Sequence, residues 1–223
     1  MPFNTETYNQ LQSAFPNTAI IAVSKTKPVS EILEAYKAGV RDFGENYVQE
    51  LIDKQSQLPS DIRWHFIGHL QSNKVKYIIP FVHLIQGVDS EKLLIEINKQ
   101  AAKNNRIIQC LLQVHIATEE SKFGFNETEL EDLIEKYFIQ QNDELKNIKV
   151  IGLMGMASFS DDKNLVKTEF ARLKKIFDQY ANLQHSNCQM KILSMGMSSD
   201  ATIAVAEGSN MIRVGSSLFG SRS

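Results

Sequence analysis

The sequence predicts an α/β fold, a single (β/α)8 TIM-type barrel, and three observations carry that prediction. Short runs rich in Val and Ile alternate with longer stretches of helical periodicity, and the alternation continues until eight strands have been used. Strands alternating with helices in this way imply a parallel sheet with crossover helices. The first run, Ala19–Val23, is apolar throughout, as a strand buried on both faces should be. The chain has 223 residues, near the compact end of the roughly 200 to 400 that such barrels use. An open doubly wound sheet is the competing architecture.

The elements follow in order. Phe3–Phe15 spaces Tyr8, Leu11 and Phe15 as a short N-terminal helix, ended by Pro16. The first strand runs to Val23, and Pro28 forces extended geometry on Lys27, so the strand has ended by there. Val29–Ala38 is a helix with Ile32, Leu33 and Tyr36 on one face, Ser30 as N-cap and Gly39 as its stop. Val40–Gly44 is the second strand and Tyr47–Gln57 its helix. Ile62–Ile67 is the third strand, followed by a brief helix over Lys74–Ile79 that Pro80 ends. Phe81–Gly87 is the fourth, and Ser90 caps a helix to Asn104 with Leu93, Leu94, Ile97 and Ala101 on one stripe. Ile107–Ile116 is the fifth strand, with a helix over Asn126–Gln140. Ile148–Gly152 is the sixth, and Asn164–Leu183 the longest helix. Met190–Ser194 is the seventh strand, Asp200–Ala206 a short helix, and Met211–Val214 the eighth strand. No linker or low-complexity segment interrupts this order, so residues 1–223 read as one domain.

Bulk properties narrow the function. The net charge is −2 with both signs interspersed, which gives no electrostatic footprint for nucleic acid or an anionic membrane. No apolar run approaches the roughly 18 residues of a spanning helix, and the polar N-terminus carries no secretory h-region. Cys110 and Cys188 form no metal or disulfide spacing. A cytoplasmic protein is the expectation.

In a (β/α)8 barrel the chemistry gathers at the C-terminal strand ends. Those exits offer Lys25, Glu45–Asn46, His65 with Gly68 and His69, Met154–Gly155 with Ser158, the run Met195–Asp200, and Arg213 with Gly215 and Ser216. Ser198-Ser199-Asp200 opens a short helix, and Gly215-Ser216-Ser217 is a bare turn. Either alone fits an ordinary capped helix or tight turn. Together, after strands seven and eight, they match where such barrels bind phosphate. Lys25 faces the same mouth, so an amine meets a phosphate site, as an aldehyde phosphate held as a Schiff base requires. A neutral amine is needed for attack, and partial burial beside a cation such as Arg213 favours one. Lys27, before Pro28, is the competing amine and is expected to point to solvent. Arg213 fits a salt bridge, a phosphate contact, or a place opposite the pyridine nitrogen of pyridoxal phosphate (PLP). In the last role its permanent charge keeps that nitrogen unprotonated and weakens carbanion chemistry. His65 and His69 read as packed or hydrogen-bonded histidines, with no surrounding cluster for a metal. Lys122 reads as a solvated loop charge.

The stretches AVSKTKP, AYKAGVRDFGENYVQE, WHFIGHLQSNK, ESKFGF, GLMGM, SMGMSSD and IRVGSSLFG, in that order from about Ile20, resemble the pyridoxal-phosphate homeostasis protein family (YggS/PROSC type). That family is similar to the N-terminal barrel of alanine racemase, the PLP fold-type III. The resemblance implies PLP held as an internal aldimine on Lys25. It implies Ser198, Ser199, Gly215 and Ser216 around the phosphate, Arg213 at the pyridine nitrogen, and Asn46, His65 and Met195 lining the cofactor. His115 stands where the family pattern has an asparagine, and the segment before the first strand is short. The implied role is cofactor homeostasis in a monomer that serves PLP-dependent apoenzymes, not committed catalysis. A weak racemase-like enzyme is the alternative, but racemisation needs a base on each face of the substrate carbon. A Schiff-base aldolase would instead place its lysine on a later strand beside carboxylates, and a vestigial binder would hold no cofactor.

Overall fold

The computed structural model describes residues 3–118, 123–140, 142–183 and 185–220. Eight parallel strands close into a barrel in the order β1-β2-β3-β4-β5-β6-β7-β8. They are β1 (Ala19–Val23), β2 (Asp42–Glu45), β3 (Arg63–Phe66), β4 (Leu84–Val88), β5 (Ile108–Val114), β6 (Ile148–Gly155), β7 (Cys188–Met197) and β8 (Met211–Val214). The helices are α1 (Thr5–Ala14), α2 (Val29–Lys37), α3 (Val48–Gln55), α4 (Val75–Ile78), α5 (Glu91–Lys103), α6 (Glu127–Ile134), α7 (Lys163–Gln179), α8 (Ala201–Ala206) and α9 (Ser216–Phe219). Closure is made by β1 against β8, with Ala19 opposite Met211 and Ala22 opposite Val214. The doubly wound alternative is excluded by that pairing.

Two cores result. The larger lies between strands and helices and collects the stripes the sequence marks, such as Leu93, Leu94, Ile97 and Ala101 of α5 and Val166, Phe170 and Leu173 of α7. The smaller fills the barrel interior with Ile21, Leu84, Leu111, Ile151, Met154 and Met211.

Several expectations are corrected. Pro28, not Ser30, occupies the N-cap position of α2, and no side chain caps that helix. The helix after β5 ends in a π-turn over Glu135–Ile139, because a wider turn there keeps both Tyr137 and Phe138 buried. β6 and β7 each run three residues beyond their predicted C-terminal ends, so Met154, Gly155, Met195 and Gly196 belong to strands. α9 is an added helical turn that the sequence reading missed. Gly196 shows why β7 can run on: its φ is +98°, and a Cβ there would sit 2.5 Å from the Ala204 Cβ. The left-handed residue lets α8 pack directly on the strand and turns the chain into Ser198–Asp200. Lys122 lies outside the described residues.

Candidate cofactor-binding site

A cavity of about 420 Å³ opens at the C-terminal mouth of the barrel. Its lining brings together Lys25, Asn46, Ser198, Ser199, Arg213, Gly215 and Ser216, seven of the nine residues singled out from sequence. They arrive from the ends of four strands, β1, β2, β7 and β8, and closure of the barrel brings the two ends of the chain to one pocket.

Lys25 follows β1 and is bracketed by two anchored neighbours. The buried Ser24 hydroxyl donates to Glu45 Oε1 at 2.5 Å, and the Ser24 carbonyl accepts from Lys54 Nζ at 2.7 Å. On the other side the Thr26 N–H donates to Glu50 Oε1 at 2.5 Å. Thr26 adopts φ +65°, a left-handed conformation that costs a non-glycine residue roughly 1–2 kcal/mol. Lys54 ties this bracket together, donating to both Glu45 and Glu50. Burial pushes the Glu45 carboxyl up, with Lys54 opposing that shift.

The rival amine is committed elsewhere. Lys27 Nζ donates to the Phe219 carbonyl at 2.7 Å and lies 3.9 Å from Glu31. It therefore pins α9 rather than reaching solvent, correcting the expectation that Pro28 would turn it outward.

The far wall is formed by the two turns after β7 and β8. Ser198 Oγ accepts from the Gly215 N–H at 3.3 Å, joining the two turns. Asp200 is folded back on its own turn, accepting from the Met197 N–H at 2.5 Å. The first N–H groups of α9 have no partner inside the helix and face the same end. Asn46 adds a polar atom without a partner: its Oδ1 is buried and makes no hydrogen bond. A buried acceptor left open in a pocket wall fits a ligand that carries a donor.

Arg213 is 4% exposed. Its Nη1 donates to Ser194 Oγ at 2.6 Å and its Nη2 to the Gly155 carbonyl at 3.0 Å. Burial lowers its pKa to about 10, with Asp200 opposing, so it remains cationic at neutral pH. Neither partner is a carboxylate, which leaves its charge available to the pocket.

His65 and Met195 do not line the cavity. Side chains alternate along a strand, and Ser194 faces inward to Arg213, so Met195 packs outward in the larger core. His65 faces the barrel interior below the pocket, where Nε2 lies 3.1 Å from Asp42 and Nδ1 3.2 Å from Gln86. The reading of His65 as a hydrogen-bonded histidine therefore describes its surroundings. Gln86, Ser194 and Lys54 went unnoticed because each is one polar residue within an otherwise amphipathic or apolar run. Among the described residues no His/Cys/Asp/Glu cluster has metal-site geometry, and no helix is long and apolar enough to cross a membrane.

At the opposite end of the barrel Asp42 meets Arg63 in a bidentate pair. Burial would raise its carboxyl, but hydrogen bonds from Arg63 and His65 outweigh that and hold it well below the usual carboxylate range. A carboxyl whose folded value lies below its unfolded value of about 4 stabilises the fold above that pH and loses the contribution as pH falls. The urea midpoint should therefore fall progressively as pH drops below about 5, the loss continuing down toward the low folded value, and Asp42→Asn should flatten that limb. An unchanged slope in the variant would remove Asp42 as its source.

The model of the alanine racemase N-terminal domain family matches residues 5–223. A pyridoxal phosphate homeostasis protein of Aquifex aeolicus is 39% identical over 204 residues, 91% of this chain and 86% of the relative. One from Synechocystis is 36% identical over 223 residues, 99% of each chain. Among solved structures, PipY of Synechococcus elongatus with PLP bound superposes with a TM-score of 0.86 at 36% identity, covering 97% of this chain and 99% of that one. Alanine racemase of Streptomyces lavendulae shares the fold at 14% identity and a TM-score of 0.75, with 95% of this chain matching 55% of the enzyme.

Proposed function

The chain belongs to the pyridoxal phosphate homeostasis protein family, and from that premise we propose that it binds PLP at the barrel mouth through Lys25 and serves to hold and release the cofactor. The observation that carries this is the single cavity that gathers Lys25, Arg213 and the Ser198–Gly215 turns. When bound, PLP supplies an aldehyde that condenses reversibly with amines. Lys25 would be the amine that the pocket presents to that aldehyde. Ser198, Ser199, Gly215 and Ser216 hold the phosphate with hydroxyl and backbone donors. Asn46 Oδ1 accepts from a donor on the ligand. Arg213 faces the ring as a fixed cation.

A carrier is favoured over a racemase by the lining itself. Among the described lining residues the side chains that carry titratable protons are Lys25, Lys27 and Arg213. Lys27 is held by Phe219, and Arg213 is a poor base. A second base on the opposite face of a substrate carbon is missing from that set. We propose a single barrel domain over residues 1–223, with PLP-dependent apoenzymes as recipients.

The test is direct. The purified protein mixed with PLP should gain a visible absorbance band, and borohydride should fix the pyridoxyl group on the peptide containing Lys25. A label mapped to Lys27 or elsewhere would overturn the assignment. Racemisation of amino acids at ordinary enzymatic rates would replace the carrier reading with the racemase one.

A further inference from the structure

Beneath the pocket, four hydrogen bonds cross the barrel interior in one line. Arg213 Nη1 meets Ser194 Oγ at 2.6 Å, Ser194 Oγ meets Gln86 Oε1 at 2.7 Å, Gln86 Nε2 meets His65 Nδ1 at 3.2 Å, and His65 Nε2 meets Asp42 Oδ1 at 3.1 Å. His65 is 2% exposed, and Gln86 and Ser194 are fully buried. The line runs from the cofactor mouth to the opposite end of the barrel, where Asp42 pairs with Arg63.

Its ends fix its direction. Guanidinium only donates, and an ionised carboxylate only accepts. A hydroxyl, a primary amide and a neutral imidazole each offer one donor and one acceptor along such a line. The arrangement that satisfies every link runs one way: Arg213 donates to Ser194, Ser194 to Gln86, Gln86 to His65, and His65 to Asp42. The second amide N–H of Gln86 points at Met211 Sδ, 3.3 Å away, which agrees with that orientation. His65 is thereby confined to the Nε2–H tautomer.

We propose that His65 is a positioning residue for Arg213, acting through Gln86 and Ser194 to lock the guanidinium in the orientation it presents to the cofactor ring. A second proton on His65 places an N–H opposite the Gln86 N–H. Turning the amide to accept it then presents an N–H to Ser194, whose oxygen already accepts from Arg213 and whose own proton loses its acceptor. The Nε2–H form of His65 is thus the one that keeps every link, and with them the hold on Arg213, in place. The groups facing His65 are Asp42, Arg63 and His83, whose ring lies 5.5 Å away. Asp42, Arg63 and Arg41 act in turn on Tyr8, and Asp42, Arg63 and Arg106 act on His83. The identity of what Arg213 faces rests on the cofactor reading; the lock itself does not.

The experiment has two arms. In the first, nitrogen-15 NMR of the cofactor-free protein should show His65 as the Nε2–H tautomer and slowly exchanging Arg213 guanidinium protons. Ser194→Ala and Gln86→Leu should speed that exchange at least about tenfold, while Ser194→Thr, which keeps the hydroxyl, should retain it. Gln86→Glu still accepts from the Ser194 hydroxyl, so it should leave Arg213 held. In the second arm, PLP added to the same proteins should bind about tenfold more weakly in Ser194→Ala than in wild type or Ser194→Thr. His65→Phe, which removes the acceptor for the Gln86 N–H, should weaken PLP binding and speed Arg213 exchange as Ser194→Ala does. An Nδ1–H tautomer, or Arg213 exchange indifferent to Ser194→Ala, overturns the proposal whatever PLP does. Failure of every protein to bind PLP, with the first arm intact, overturns the cofactor reading alone. Should Gln86→Leu not fold, the Gln86→Glu result decides.

Discussion

Lys25→Ala is expected to fold normally and to lose the borohydride-trapped PLP adduct completely. The side chain is partly exposed at a strand exit and contributes little to either core. The turns at Ser198 and Gly215, Asn46 and Arg213 remain in the pocket wall, so on the proposed reading non-covalent binding persists. That residual affinity should be weaker by at least about a hundredfold, or ~2.7 kcal/mol. Lys25→Arg makes the sharper control, because it keeps a charge at the site but offers no amine that can condense. Equilibrium dialysis separates the two contributions: the alanine and arginine variants should show the same missing adduct and differ only in residual affinity. An adduct that survives in both would transfer the role to Lys27.

Lys54→Met should have the largest effect on stability. Lys54 is 4% exposed, and it is an ion-pair partner of Glu45, which is fully buried. Glu45 Oε2 makes no hydrogen bond at all. Removing the cation leaves a buried carboxylate without a counter-charge, and losing one member of such a pair costs about 3–5 kcal/mol. The pH dependence gives the signature. Burial already raises the Glu45 carboxyl, and without Lys54 it rises further. A raised carboxyl stabilises the fold at low pH and withdraws that contribution as pH climbs through its folded value. The variant should therefore lose stability as pH rises above the ordinary carboxylate range, opposite in sign to the Asp42 limb. Glu45→Gln added to Lys54→Met should recover much of the loss in urea unfolding. A variant as stable as wild type across that range would show that Glu45 finds another partner.

Much of the molecule is legible in its sequence because hydrophobic period and strand order carry long-range information. Eight short apolar runs with intervening helical stripes place every strand, and the rule that barrel chemistry lies at strand exits then finds Lys25, Asn46, Ser198, Ser199, Arg213, Gly215 and Ser216 in one cavity. What escapes is the phase within a strand. Met195 and Ser194 are adjacent, yet one packs outward and the other touches Arg213. Only the register of β7 against its neighbours decides which is which, and β7 shifts register against β8 between Ser194 and Met197. His65 differs in depth rather than phase: it faces the interior but lies below the pocket, between Asp42 and Gln86. Gln86 lies in an apolar strand and Lys54 on an amphipathic helix, where a single polar residue gives no hint of its partner. Lys27 escapes because its acceptor, the Phe219 carbonyl, is 192 residues away.

The pairing of β1 with β8 has a consequence for biosynthesis. Parallel strands at the edges of an unfinished sheet expose unpaired backbone groups, and here β1 waits from residue 19 until residue 211 is made. At roughly 5–20 residues per second, that interval lasts about ten to forty seconds. Arg213, Gly215 and Ser216 belong to the segment that ends it. The pocket draws on both ends of the sequence, so its walls come together only after nearly the whole chain has been made.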